Sequence, residues 1–347
     1  MKLTFLRRLC AVVIGITFLV SGLAKIIDPV GTMLIVKEYF KLLNFGFLNP
    51  AAKVLGVILA TTEAITGLAL ISGVLRKSAA IITYALLGVF TPITLFLLIK
   101  NPSMDCGCFG EAIHLNHLQS FLKNLALLAL ALIAFIPLKT IGKPKARKWV
   151  SFSITALSVL YAVLYSNTHI PIADFTEFNF GAELMAASED DEDLVEHHPV
   201  LSFRNAEGEY LDDEAAQGKV VIFSVYNPAD ANWDRIHRQF LEVTDAGARP
   251  MLLVASYPAE IDSFGIPIDM PVYYADYKTL ITLNRSNGGA TYLCEGEIIG
   301  KWHERNFPAI AKVLNADEVE YSSTLILTRR IKSQGFCLAL AAILILI

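Results

Sequence analysis

Apolar residues fill the first half of the chain in blocks too long and too continuous for the core of a small soluble domain. Five stretches, near 9–27, 52–73, 79–99, 120–138 and 149–166, each predict a helix long enough to cross a bilayer at about 1.5 Å rise per residue. Beyond about residue 167 the texture changes. KVVIFSVY (219–226) predicts a buried strand from its β-branched run, and NWDRIHRQFLEVTDAG (232–247) predicts a helix ending near Gly247. RPMLLVAS (249–256) and VYYAD (272–276) predict two further strands. TLITLNRSNGG (279–289) then leads into a hairpin of ATYLC and EIIGKW around a Glu-Gly turn. The expected fold class is an α-helical membrane bundle, four helices plus a fifth span, followed by a soluble α/β domain.

Arg7 and Arg8 before an apolar run ending in Ser21-Gly22-Leu23-Ala24 resemble a secretory leader. Four further spans favour an uncleaved first helix. Between the bundle and the folded domain, residues 167–198 read as an extended linker holding the acidic run Glu189 to Asp193. The domain itself is expected over 199–318. The tail 319–347 carries a short apolar segment at 336–347, only about 18 Å as a helix against a hydrocarbon core of roughly 30 Å.

Composition agrees with this division. The 347 residues are 54% hydrophobic and 18% charged, against about 45–50% and about 25% in soluble proteins, which excludes a single soluble globule and also disorder. A net charge of −4 leaves no basic surface for nucleic acid. Basic clusters fall on alternate loops: Lys2, Arg7 and Arg8, then Arg76 and Lys77, then Lys139, Lys143, Lys145, Arg147 and Lys148. The positive-inside rule makes that side cytoplasmic. Loop 28–50, loop 100–118 and everything after 167 are then expected outside, in the periplasm of an inner-membrane protein.

Candidate chemistry sits on that outer side. Glu63 lies in the middle of span two (ATTEAITG), while Lys25 and Asp28 end span one (SGLAKIIDP). A charge at that depth costs at least about 2.5–3.5 kcal/mol and needs a partner or a task. Lys25 can snorkel to the interface or pair with Glu63; Glu63 is expected to bond to span one, either to hold the bundle or to bind a proton or a quinone headgroup. Small residues Gly15, Ser21, Gly22, Gly56, Gly67 and Gly73 permit close helix approach. The loop NPSMDCGCFGEAIHLNH holds two of the five cysteines, Cys106 and Cys108, one residue apart. Such a pair closes into a small strained ring that suits exchange. Two other readings stand beside it: a permanent staple, and a Cys₂His₂ zinc set with His114 and His117. Asp105 and Glu111 would raise the thiol pKa values, and a helix starting near Asn116 would lower them.

These motifs, G-x-x-K-x-x-D-P, E-x-x-x-G and D-C-G-C-F-G, resemble those of MauE/DoxX-type redox-associated membrane proteins over residues 1 to about 140, with 141–166 as an added span. The resemblance implies a thiol–disulfide oxidoreductase component with Cys106 and Cys108 as the redox pair and Lys25, Asp28 and Glu63 as intramembrane polar residues. It implies periplasmic protein thiols or a membrane redox partner, surrounding lipid, and quinone as a candidate cofactor, although no quinone motif or other cofactor motif is present. The order of the soluble half resembles a thioredoxin-like domain in a layout similar to Bacteroidetes-type proteins. Where such a domain carries C-x-x-C, this chain reads NPADANW (227–233), and the proline expected before the hairpin is replaced near Gly288-Gly289. Cys294 is expected to be a buried hydrophobe. The alternative to a relay is therefore a non-catalytic assembly subunit with a redox-dead docking domain. No P-loop, dinucleotide fingerprint, nucleophile elbow or HExxH motif is present.

Overall fold

The computed structural model describes residues 2–104, 106–136, 146–184 and 199–316, with 321, 323–325, 327 and 328. It divides the chain into two compact units, one built on residues 1–167 and one on 168–333. Asp105, Lys139, Lys143, Lys145, the acidic run, His197, His198, Arg329, Arg330, Lys332 and the apolar tail lie outside the described residues.

The first unit contains α1 (Lys2–Ile27), α2 (Pro29–Leu42), α3 (Ala52–Ser72), α4 (Arg76–Lys100), β1 (Cys108–Glu111), α5 (His117–Phe135) and α6 (Ala146–Ser166). Five helical segments, Leu3–Ile27, Gly46–Ser72, Arg76–Lys100, His117–Phe135 and Ala146–Ser166, are long and apolar enough to cross a membrane. Their outer faces expose large apolar side chains such as Phe5, Ile58, Ile81, Val89 and Leu157, the surface that hydrocarbon rather than water accommodates. Inside, Ile14, Phe18, Ala64, Leu68, Leu87, Ala131 and Val159 form one core.

Glycine sets the closest helix contact. A Cβ on Gly22 of α1 would lie 2.5 Å from the Ala64 nitrogen, and one on Gly15 would lie 2.9 Å from the Gly67 carbonyl. The α1 and α3 backbones therefore touch along this seam, as small residues at a helix interface allow. Helix ends are satisfied locally. Arg8 donates to the Leu70 carbonyl at 2.7 Å and also to Ile71, closing the C-terminus of α3. Arg7 does the same for Ile136 after α5, at 2.7 Å. The basic residues that mark one side by composition thus also cap the helices that end there.

Loop 28–50 is more ordered than expected. Asp28 is the N-cap of α2 and accepts from the Gly31 amide at 2.9 Å, with Pro29 in the first helical turn. Asp28 is buried, so it terminates one helix and starts the next.

The second unit is a mixed α/β sheet. Its elements are β2 (Phe203–Arg204), β3 (Lys219–Val225), α7 (Trp233–Asp245), β4 (Arg249–Val254), β5 (Val272–Ala275), α8 (Tyr277–Leu283), β6 (Gly289–Cys294), β7 (Glu297–Trp302) and α9 (Ile310–Leu314). Strand order is β2-β5-β4-β3-β6-β7; β3, β4 and β5 are parallel, and β2, β6 and β7 run antiparallel to their neighbours. Alternation along β3 builds both layers. Val221, Phe223 and Val225 face Ile236, Phe240 and Val313, while Val220 and Ile222 face Leu280, Leu283 and Phe178. The β6–β7 turn places Glu295 and Gly296 both at positive φ, the geometry of a tight two-residue hairpin.

The expected linker over 167–198 is corrected in its first half. Phe178 and Leu184 are buried in the sheet's core, and Gly181 and Leu184 donate to the Ile298 and Gly296 carbonyls on the edge strand β7. Asp174 pairs with Lys301 at 2.7 Å with both side chains nearly fully buried. An edge strand left open presents unpaired amides and carbonyls, and this segment covers it. Its apolar residues follow neither a helical nor a strand period, so composition alone read it as extended linker. Tyr321, placed in the expected tail, packs against the other layer, the one that holds Phe223 and Phe240.

Candidate functional site

The loop between α4 and α5 folds back over the ends of α1 and α2. Gly107 and Gly110 both adopt positive φ, +62° and +61°, and Gly110 donates to the Gly107 carbonyl at 3.2 Å. A side chain on Gly107 would collide with Ile35 of α2. The turn brings the Cys106 and Cys108 sulfurs to 2.8 Å as free thiols, Cys106 buried and Cys108 half-buried.

Each cysteine is held through its carbonyl. Tyr39 of α2 donates its hydroxyl to the Cys106 carbonyl at 2.5 Å. Ser21 of α1 lies 2.6 Å from the Cys108 carbonyl and 2.7 Å from Glu63 Oε2. Lys25 Nζ donates to both Glu63 oxygens, at 2.8 and 2.7 Å, and to Ser21 at 3.1 Å. Glu63 is 1% exposed and Lys25 6%. Of the two expectations for Lys25, pairing is the one realised. Of the five residues singled out by sequence, four form one connected group: Cys106, Cys108, Lys25 and Glu63. Asp28 stands next to it as the cap of α2, and the Gly31 it caps also lies close to Glu111 of β1.

Counting protons defines what this group can do. Ser21 owns one hydroxyl proton and faces two acceptors, while Lys25 supplies three N–H donors. The Ser21 proton can therefore serve the loop carbonyl or the carboxylate, so Ser21 links the charged pair to the thiol loop.

The two thiols are not equivalent. The Cys106 thiol donates to Cys108, and together with the nearby Lys123 and Lys25 charges this holds the Cys108 thiol down to about 5 despite its burial. The same hydrogen bond, burial and the Cys108 charge push Cys106 upward. Burial and the neighbouring cysteines likewise push the Tyr39 phenol up, so it stays a donor. The sequence set Asp105 and Glu111 against the helix start near Asn116; the charges that act on Cys108 in the structure are Lys123 of α5 and Lys25 of α1. Lys123, Tyr39, Ser120 and the bonding role of Ser21 were missed by sequence reasoning. Lys123 left one signal, a cation two turns inside an apolar span.

The helix start at Asn116 is present, with a reciprocal capping box to Gln119. His117 Nε2 bonds the Pro102 carbonyl at 3.0 Å, and no group of three or more metal-ligating side chains gathers among the described residues, so the Cys₂His₂ set is not assembled. A cavity of about 520 Å³ opens next to the thiol loop, lined by Leu98, Asn101, Met104, Leu115, Asn116 and His117.

In the α/β unit, the place after β3 holds no thiol. Asn227 and Asn287 bond reciprocally: the Asn227 amide donates to Asn287 Oδ1 at 2.9 Å, and Asn287 Nδ2 donates to the Asn227 carbonyl at 2.8 Å. Cys294 is buried within β6, and Trp233 and Trp302 pack against the core.

Residues 3–137 match the family described as Methylamine utilisation protein MauE. The chain is also 27% identical over 179 residues to Protein TlpB of Flavobacterium psychrophilum, an alignment covering 50% of this chain and 48% of that protein. The chain thus spans about half the length of the curated relative it matches. No solved structure matches. The polar cluster and the thiol loop both fall within the residues 3–137 that match the MauE family, and with five helices long and apolar enough to cross a membrane this is a multi-pass membrane protein whose N-terminal part is MauE-like and is followed by a mixed α/β domain.

Proposed function

We propose that this protein is a membrane redox component in which the Cys106–Cys108 pair exchanges disulfides with protein thiols. The observation that carries the reading is the dithiol itself: two free sulfurs 2.8 Å apart in a glycine-shaped turn, where the hydrogen bond from Cys106 and then the lysine charges lower the Cys108 thiol. A low-pKa, partly accessible thiol next to a resolving thiol is the arrangement that exchange requires. The loop and the α/β unit face the periplasm, and the basic helix ends at Arg7, Arg8 and Arg76 face the cytoplasm. Oxidation of the pair releases protons, and the Ser21–Lys25–Glu63 cluster is suited to receive one. Electrons pass to a quinone or to a membrane partner near Lys25 and Glu63.

The α/β unit has the strand order of a thioredoxin-like domain without its cysteines. Its asparagine latch favours a docking role, and a second reading makes the whole chain a non-catalytic assembly subunit. Acid-quench alkylation of the pair in intact cells separates the two. After a pulse of reductant, the relay reading expects reoxidation within minutes, faster in respiring than in quinone-depleted cells. Cys106→Ser and Cys108→Ser each abolish function with insertion intact. A pair locked in one state, with both single variants functional, leaves the assembly reading.

A further inference from the structure

We propose that Lys123 is the positioning residue of the thiol pair: fixed over the Phe109 ring, its ammonium holds the reduced pair as a Cys108 thiolate beside a neutral Cys106 thiol, and so favours electron uptake by the pair. This deepens the relay reading and rests on it.

Lys123 projects from the second turn of α5, which its capping box anchors at Asn116. Its Nζ lies 4.9 Å from the centroid of Phe109, the residue after Cys108, in a cation–π contact that fixes the flexible side chain. Phe109 directly follows Cys108, so the ammonium is held at the thiol loop, where its charge lowers the Cys108 thiol after the larger effect of the hydrogen bond from Cys106. Cys106 supplies the hydrogen bond that lowers Cys108 most, and among the charges around it Lys123 acts more strongly than Lys25. From α1, Lys25 is committed to both oxygens of Glu63 of α3. From α2, Tyr39 is a neutral donor to the Cys106 carbonyl. Ser120, also on α5, is buried beside Cys106 rather than Cys108. Glu111 closes β1 as the one described carboxylate within the strand. Among the described residues, Lys123 has no carboxylate partner to divide its charge.

The step balances. Two partner thiols give up two electrons and two protons and become one partner disulfide. The Cys106–Cys108 bond breaks; Cys106 takes one proton, Cys108 keeps its negative charge beside Lys123, and the second proton passes to solvent. Stabilising the reduced form in this way makes a dithiol more oxidising.

The test uses the full-length protein in lipid nanodiscs. Lys123→Met is expected to shift the thiol–disulfide equilibrium against glutathione about tenfold toward the disulfide, or about 30 mV for a two-electron couple. The pH at which Cys108 becomes alkylated, resolved by peptide mass spectrometry, should rise from near 5 but stay below the ordinary 9, because the hydrogen bond from Cys106 remains. Lys123→Arg keeps both values, and Lys123→Gln, which retains a donor without charge, behaves as the Met variant. Unchanged equilibrium and unchanged alkylation pH in Met and Gln variants overturn the proposal. A pair that cycles in cells while those variants match the parent sinks only this assignment. A pair that never cycles, yet shifts with Lys123, sinks the relay reading and leaves the assignment standing as thiol chemistry.

Discussion

Each unit of this protein buries one lysine–carboxylate pair at the same distance, 2.7 Å, and the two pairs do different things. Lys301 and Asp174 join the edge strand β7 to the segment that covers it; Asp174 also accepts from the Thr176 hydroxyl, and Lys301 lies 5.9 Å from the Phe180 ring centroid. Thr176 and Phe180 belong to that same covering segment. Lys25 and Glu63 instead share Ser21, whose hydroxyl also reaches the carbonyl of a cysteine. Burial and pairing therefore do not by themselves mark a functional site. What distinguishes the bundle pair is that its hydrogen-bond network continues, through Ser21, into the backbone of the thiol loop.

Removing one partner is the strongest way to break that comparison. Lys301→Met and Glu63→Ala each leave a buried charge unpaired, a loss of about 3–5 kcal/mol. Chemical unfolding should register the first in the α/β unit, and loss of bundle stability in detergent the second. The double replacements then sharpen the contrast. Lys301→Met with Asp174→Leu is expected to be neutral or stabilising by about 1–4 kcal/mol, with thiol cycling untouched. Lys25→Met with Glu63→Leu should preserve insertion and abolish cycling. Equal cycling in both double variants would reduce the bundle pair to a rivet as well.

A smaller effect is expected at the asparagine latch. Asn287→Ala removes both bonds to the half-buried Asn227 backbone, costing the α/β unit about 1–2 kcal/mol by denaturant unfolding, with the redox state of Cys106 and Cys108 unchanged. Tyr39→Phe is the mildest change, about 0.5–1.5 kcal/mol for one lost hydrogen bond. It should loosen the loop at Cys106, read as faster alkylation of that thiol. The pH sign follows from Cys108. Its folded value near 5 lies below the ordinary 9, so the reduced form gains stability as pH rises across that window and loses it as pH falls through 5. Compared with a pair of ordinary thiols, whose reduction takes up two protons, this pair should lose less of its ease of reduction on going from pH 5 to pH 7.

Much of the bundle was legible because its signal is one-dimensional. A helix crossing hydrocarbon must be apolar for about 20 residues whatever it packs against, so five spans appear within a few residues of their structural ends. The strands of the α/β unit were legible for a related reason, since β-branched runs between turn residues need no partner to be recognised. Asp28-Pro29 also carried a helix start, yet α2 was read as loop because its 14 residues are too short to register as a span. Segment 168–184 was read as linker because covering an edge strand demands a few well-placed side chains, not a period.

The sequence by itself determined the division into membrane and soluble halves, the thiol pair, and the two charges that had to find partners in the bundle. Charge cost and hydrophobic length act on the chain locally, so they are written in order along it. Tertiary structure alone decided which lysine meets which carboxylate, that Ser21 links them to the Cys108 carbonyl, and that Lys123 faces the sulfur. Those choices depend on backbones brought together by Gly22 and Gly67 from positions some 40 residues apart, and pairing across that distance leaves no pattern in the sequence until the helices are packed.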